Sequence, residues 1–195
     1  RGRPTLPTPV IPIALISALI SVGTIALMLP FASDREGLAP FLEALLTATS
    51  AVTVTGVTIN DPTEYWTIFG KVTIMLLMVF GGILYMTLAT LMFALIGHRS
   101  HVTERFFAPD VRQLDTLEGF KSLAAKIFMV SASIQLVGFV LFAARFLLIY
   151  PPGDAVWYAT FQSISGFNGV GLSIIPDRVE LTPFHFDPFL IAITG

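Results

Sequence analysis

The sequence predicts an all-α integral membrane protein built from a repeated unit: a spanning helix, a short half-buried helix, an irregular segment and a second spanning helix. Three observations predict it. Long stretches carry no charge, two apolar segments are helix-forming but too short to cross a bilayer, and these short segments recur with their flanks at a constant offset of 115 positions (Gly56 to Gly171).

Composition sets the class. Of 195 residues, 54% are hydrophobic and 12% charged, and the mean hydropathy is +0.80. A soluble domain carries about 25% charged residues. Half that share cannot cover a water-facing surface, and a lipid-facing one explains the deficit. The net charge of -2, with no basic cluster, argues against a nucleic-acid partner. The lack of cysteine removes disulfides, thiolate metal sites and cysteine nucleophiles. No nucleophile–base set stands out either, so the chain is not expected to be an enzyme.

Residues 10–29, 72–97 and 127–144 contain no charge. About 20 apolar residues cross a hydrocarbon core of roughly 30 Å. The first two runs meet that length. The third meets it once Arg145 reaches toward the interface, as long basic side chains do. A further apolar run begins near Phe189. The first run is longer than a signal-peptide core and ends in Leu29, Pro30 and Phe31 rather than a small-residue cleavage site, so it reads as a span.

Charge asymmetry orients the chain. Arg1 and Arg3 precede the first span, and Arg99, Arg105, Arg112, Lys121 and Lys126 lie between the second and third. Asp34, Glu36, Asp61, Glu64, Asp154, Asp177, Glu180 and Asp187 fall on the other side. The positive-inside rule then puts the N-terminus and the loop at 98–121 in the cytoplasm of a multi-pass protein of the cell membrane. Tyr65, Trp66, Trp157 and Tyr158 are placed near the outer boundaries, as in an aromatic belt.

The connector between the first two spans holds residues 39–49, apolar and helix-forming, with a reach of about half the hydrocarbon thickness at 1.5 Å per residue. Residues 50–58 follow. They are rich in β-branched side chains, which suit a helix poorly, and Gly56 opens backbone angles closed to other residues. Extended backbone at membrane depth is tolerated only where protein or water satisfies its polar groups. A short helix followed by Thr53-Val54-Thr55-Gly56 therefore reads as a pore helix and an ion filter.

The plan recurs. Residues 155–164 are a second short helix candidate, followed by an irregular stretch at 165–173. In the gap-free alignment Ala44 matches Ala159, Ser50 matches Ser165, Gly56 matches Gly171, Thr58 matches Ser173 and Ile59 matches Ile174. Internal repetition is typical of transporter folds. The expected organisation is a first span–pore–span unit at 1–97, a cytoplasmic linker at 98–121, and a second unit at 122–195 whose closing helix is incomplete.

These residues resemble a known family. The run from Phe41 to Gly56 is similar to the first pore loop of the Trk/Ktr/HKT superfamily of potassium transporters, and the run from Phe80 to Thr87 to the helix that follows it. The run from Ser165 to Ser173, with Pro176 and Asp177, resembles the second pore loop. The resemblance covers essentially the whole chain and implies the first two of four units around one potassium-channel-like pore. It further implies a membrane homodimer and a cytoplasmic, nucleotide-binding regulatory ring, with the nucleotide on that partner. No cofactor is expected on this chain, and potassium is expected as substrate.

On this reading the backbone carbonyls of Thr53, Val54, Thr55 and Gly56 form one wall of a filter, and those of Asn168, Gly169, Val170 and Gly171 another. Carbonyls replace the hydration shell of potassium without fixed charge, so the ion binds yet leaves. The resemblance adds that serine at the position of Gly56 accompanies sodium preference in some plant members. Asn168-Gly169-Val170 departs from the commoner Asn-Asn-Ala of bacterial members. The alternatives are a sodium or mixed sodium/potassium transporter and, in another class, a non-conducting membrane scaffold.

Other residues have blander readings. His98 and His101 supply two ligands where a structural metal site wants four. Glu43 either draws cations to the outer mouth or bonds backbone at the start of its helix. Gly81 and Gly82 read as a close helix contact away from the filter.

Overall fold

The computed structural model describes residues 10–35, 37–96 and 117–175. The expected fourth run near Phe189, the histidines at 98 and 101 and most of the linker lie outside these. The described residues form six helices and no strand: α1 (Val10–Leu27), α2 (Phe41–Thr53), α3 (Pro62–Tyr65), α4 (Ile68–Ile96), α5 (Leu117–Phe146) and α6 (Pro152–Asn168).

Stretches of α4 and α5, Ile68–Ala89 (22 residues) and Lys121–Phe146 (26 residues), are long and apolar enough to cross a membrane, each with mean hydropathy 2.2. The apolar stretch of α1, Ile13–Leu27, falls short of that length, although the whole helix of 18 residues reaches about 27 Å at 1.5 Å per residue. Helix α5 begins at Leu117, so residues 117–121 of the stretch expected as a linker form the first turn of a helix.

Six hydroxyls inside the helices are satisfied locally. Ser21, Thr24, Thr73, Thr87, Ser133 and Thr160 each donate to the carbonyl four residues back, at 2.6–2.9 Å. This bond lets a polar side chain sit at membrane depth without an unmet partner. Arg145 stands in the last turn of α5, where the negative end of the helix dipole favours a cation.

Helix α4 is the hub and packs against α1, α2, α5 and α6. Small residues allow the close approaches. Gly23 of α1 faces Leu77 of α4 so tightly that a Cβ would lie 2.7 Å from the leucine Cδ atoms. Gly138 of α5 leaves room for Ser163 of α6, whose hydroxyl donates to the Gln135 carbonyl.

Beyond α1 the chain is pinned to the start of α4. Ser33 and Trp66 form an antiparallel bridge, Thr67 N donates to Ala32 O at 3.1 Å, and Thr67 Oγ1 donates to Phe31 O at 2.7 Å. Asp61 caps α3 by accepting from Thr63 N at 2.9 Å, with Pro62 opening the helix. The aromatic-belt expectation is corrected here for Tyr65 and Trp66. Trp66 is 1% exposed, Tyr65 is buried beside it with ring centroids 4.8 Å apart, and Trp157 and Tyr158 are half-buried. The pair at 65 and 66 packs in the core between the connection that follows α1 and the short helix α2.

Candidate functional site

Both short helices run further than their sequences suggest. Helix α2 continues through Thr53 and α6 through Asn168, so the stretch at 165–173 is corrected: its first four residues are helical. Burial overrides propensity in each case. Val52 is buried with its backbone against Gly81 of α4, and Thr53 Oγ1 closes back on Thr49 O at 2.8 Å. Asn168 is buried against Gly82, with Nδ2 donating to Ile164 O at 2.9 Å.

The helices end in the same way. Val54 follows α2 with φ 60°, and Gly169 follows α6 with φ 70°. Two residues on, Gly56 and Gly171 have φ 70° and 72°. Thr55 N donates to Ser50 O at 3.1 Å, and Val170 N to Ser165 O at 3.0 Å. Each of these relations holds at the offset of 115 read from the sequence. The six-to-one bond after a left-handed residue is how a helix C-terminus turns its chain sharply aside. Alternating left-handed positions then send the chain on as an irregular strand.

Of the candidate filter residues, Thr53 and Asn168 are thus the last residues of their helices. Val54, Thr55 and Gly56, and Gly169, Val170 and Gly171, lie beyond the helix ends. The two loops meet: the Cα of Gly56 lies on the carbonyl of Val170, so that a Cβ at 56 would fall on the Val170 oxygen. Both helices point their C-terminal ends, each equivalent to roughly half a negative charge, at this meeting place. Thr53, Thr55, Gly169 and Gly171 are exposed, and around Gly169 and Gly171 the Cβ directions are open. Backbone oxygens, hydroxyls and two helix dipoles suit a cation without a fixed countercharge. Among the described residues no group of three acidic, histidine or cysteine side chains stands ready for a metal ion.

Glu43 has a side-chain partner that the sequence did not predict. Its carboxylate accepts from Asn60 Nδ2 at 2.9 Å, tying the start of α2 to the chain leaving the first loop. Helix α2 follows Pro40 without a side-chain cap. Tyr65 lies beside Glu43, and burial together with that carboxylate pushes its phenol up to about 12. The sequence carried no signal for this partnership, because residues 43, 60 and 65 meet only through the fold.

The fold and site define a class: a helical membrane protein whose repeated short helices deliver two left-handed loops to one place. A family model described as TrkH, cation transport protein, matches residues 10–194. The chain belongs to this family of cation transport proteins. It is 32% identical over 160 residues to the Ktr system potassium uptake protein B of Bacillus subtilis, a match covering 82% of this chain and 36% of that protein. It is 31% identical over 172 residues to the potassium/sodium uptake protein NtpJ of Enterococcus hirae, covering 86% and 38%. It is 30% identical over 148 residues to the Ktr system potassium uptake protein B of Vibrio alginolyticus, covering 76% and 32%. Across the curated relatives it matches, the chain spans between 32% and 39% of their length.

Proposed function

We propose that this chain supplies two of the walls of a potassium-selective pore that serves uptake across the cell membrane, with the N-terminus in the cytoplasm. The observation that carries the reading is the pair of loops with left-handed residues at 54 and 56 and at 169 and 171, in contact through Gly56 and Val170. The carbonyls of Thr53, Val54, Thr55 and Gly56, and of Asn168, Gly169, Val170 and Gly171, line the ion path. Potassium exchanges its hydration shell for them, and their neutrality lets it leave. The names of the Ktr relatives support potassium as the cargo.

On this reading the chain is organised as a first unit at 1–97, a connector, and a second unit from 122, which α5 enters from Leu117. Two further units cover the open sides of Gly169 and Gly171, and the assembled subunit pairs with a second copy. A cytoplasmic nucleotide-binding ring regulates it through the loop at 98–121; the word "system" in the Ktr names is consistent with several components. The name of NtpJ favours one second reading, a path that also passes sodium.

Flux of both ions into liposomes holding the four-unit protein tests the proposal. Potassium influx well above sodium influx supports it. Equal rates favour the mixed reading, and no flux of either ion returns the chain to a scaffold role.

A further inference from the structure

We infer that Ser165 is a positioning residue for ion selectivity, acting through a double clasp on the second filter loop that the first loop lacks; the inference rests on the pore reading above. Ser165 is fully buried in the last turn of α6. Its carbonyl accepts from Val170 N at 3.0 Å, and its hydroxyl donates to Leu172 O at 2.6 Å. One residue thus holds the loop on both sides of Gly171. The Leu172 carbonyl is turned back toward the helix by this bond, which sets where the carbonyls before it point.

Ser50 is its counterpart in the first unit, and there the clasp is half made. The Ser50 carbonyl accepts from Thr55 N at 3.1 Å. Its hydroxyl is buried with no hydrogen-bond partner among the described residues. Val57, the counterpart of Leu172, is 66% exposed where Leu172 is 4% exposed. The first loop instead takes its position from the second, because Gly56 rests on the Val170 carbonyl, and Val170 is held by Ser165. The Ser165 carbonyl that holds Val170 is backbone and survives any substitution, so loss of the Ser165 hydroxyl frees the second wall at Leu172 and reaches the first wall only through the Val170 carbonyl two residues away, whereas loss of the Ser50 hydroxyl removes no bond among the described residues. A cation site that discriminates by the number and placement of carbonyls depends on such anchoring.

The test compares Ser165→Ala, Ser50→Ala and Ser163→Ala in the four-unit protein reconstituted in liposomes, with potassium and sodium influx measured at matched protein content. Ser163 is the control for burial alone, since its hydroxyl bonds α5 and not the loop. Ser165→Ala is expected to lower the potassium-to-sodium ratio about fivefold, the factor set by losing one net hydrogen bond, while the other two leave the ratio unchanged. Where Ser165→Ala does not accumulate, Ser165→Cys, similar in shape with a weak donor, is read in its place and is expected to lower the ratio likewise. An unchanged ratio in the Ser165 variant, or an equal fall in Ser50→Ala, overturns the inference while leaving the pore reading intact. An unmodified protein that passes no potassium overturns both.

Discussion

Gly82 of α4 lies with its Cα against the side-chain oxygen of Asn168, the last residue of α6, so that a Cβ at 82 would fall on that oxygen. Its neighbour Gly81 bears in the same way on the backbone of Val52 in α2. The adjacent glycines thus seat the ends of both short helices, and the sequence reading of Gly82 as remote from the filter is corrected. Gly82→Ser is expected to cost about 1–3 kcal/mol of stability through overpacking and to lower the potassium-to-sodium flux ratio by displacing Asn168. Gly153→Ser, in open space at the start of α6, is expected to change neither. Thermal melting of the detergent-solubilised protein and paired flux assays check this; an unaltered ratio in Gly82→Ser means that Asn168 does not govern the loop.

Gly56→Ser is expected to lower the same ratio, for a different reason than sequence alone suggests. The sequence places the added hydroxymethyl group in the ion path and leaves accumulation near normal. In the structure the new Cβ meets the Val170 carbonyl, and φ 70° is itself unfavourable for serine, by about 1–2 kcal/mol. The variant is therefore expected to lose stability as well as selectivity, with both loops displaced. Equal melting temperatures for Gly56→Ser and the parent protein contradict this contact.

Val54 occupies the left-handed position that Gly169 holds in the second unit. A β-branched residue there is strained, at a cost of about 1–3 kcal/mol. Val54→Gly relieves that strain but gives up some packing and chain stiffness, and it is expected to shift stability by no more than about 1 kcal/mol. Val52→Ala, deep in the core at 2% exposure and unstrained, is expected to cost more than that through its cavity. A larger loss from Val54→Gly than from Val52→Ala in the same melting assay contradicts the strained assignment.

Topology is tested with single cysteines, since the chain has none of its own. Asp34 is exposed next to the bridge that joins the end of α1 to the start of α4. Ser33, though one residue away, is 3% exposed and unsuitable. Asp34→Cys is expected to react with an impermeant maleimide from outside intact cells, and Ser100→Cys only after the membrane is opened. Labelling of both from the same side refutes the orientation drawn from lysine and arginine.

Much of the architecture is legible in the sequence because its signals are local or periodic. Uncharged runs mark the long helices, and the offset of 115 that pairs Gly56 with Gly171 reappears in the backbone angles and in the bonds from Thr55 and Val170. Composition and the uncharged runs pointed to the membrane class, and the short apolar helix, the β-branched stretch after it and their repeat pointed to the two loops. The tertiary structure decided the rest. Residues 50–53 and 165–168 are helical because burial against Gly81 and Gly82 outweighs their propensity. Trp66 is inside rather than at an interface because the connection from α1 folds over it. The bond from Ser165 to Leu172 and the unmet hydroxyl of Ser50 are invisible to an alignment that pairs the two serines. Identical residues at equivalent positions differ in role because a hydrogen bond depends on where the partner's backbone turns, and that is set by contacts between distant parts of the chain.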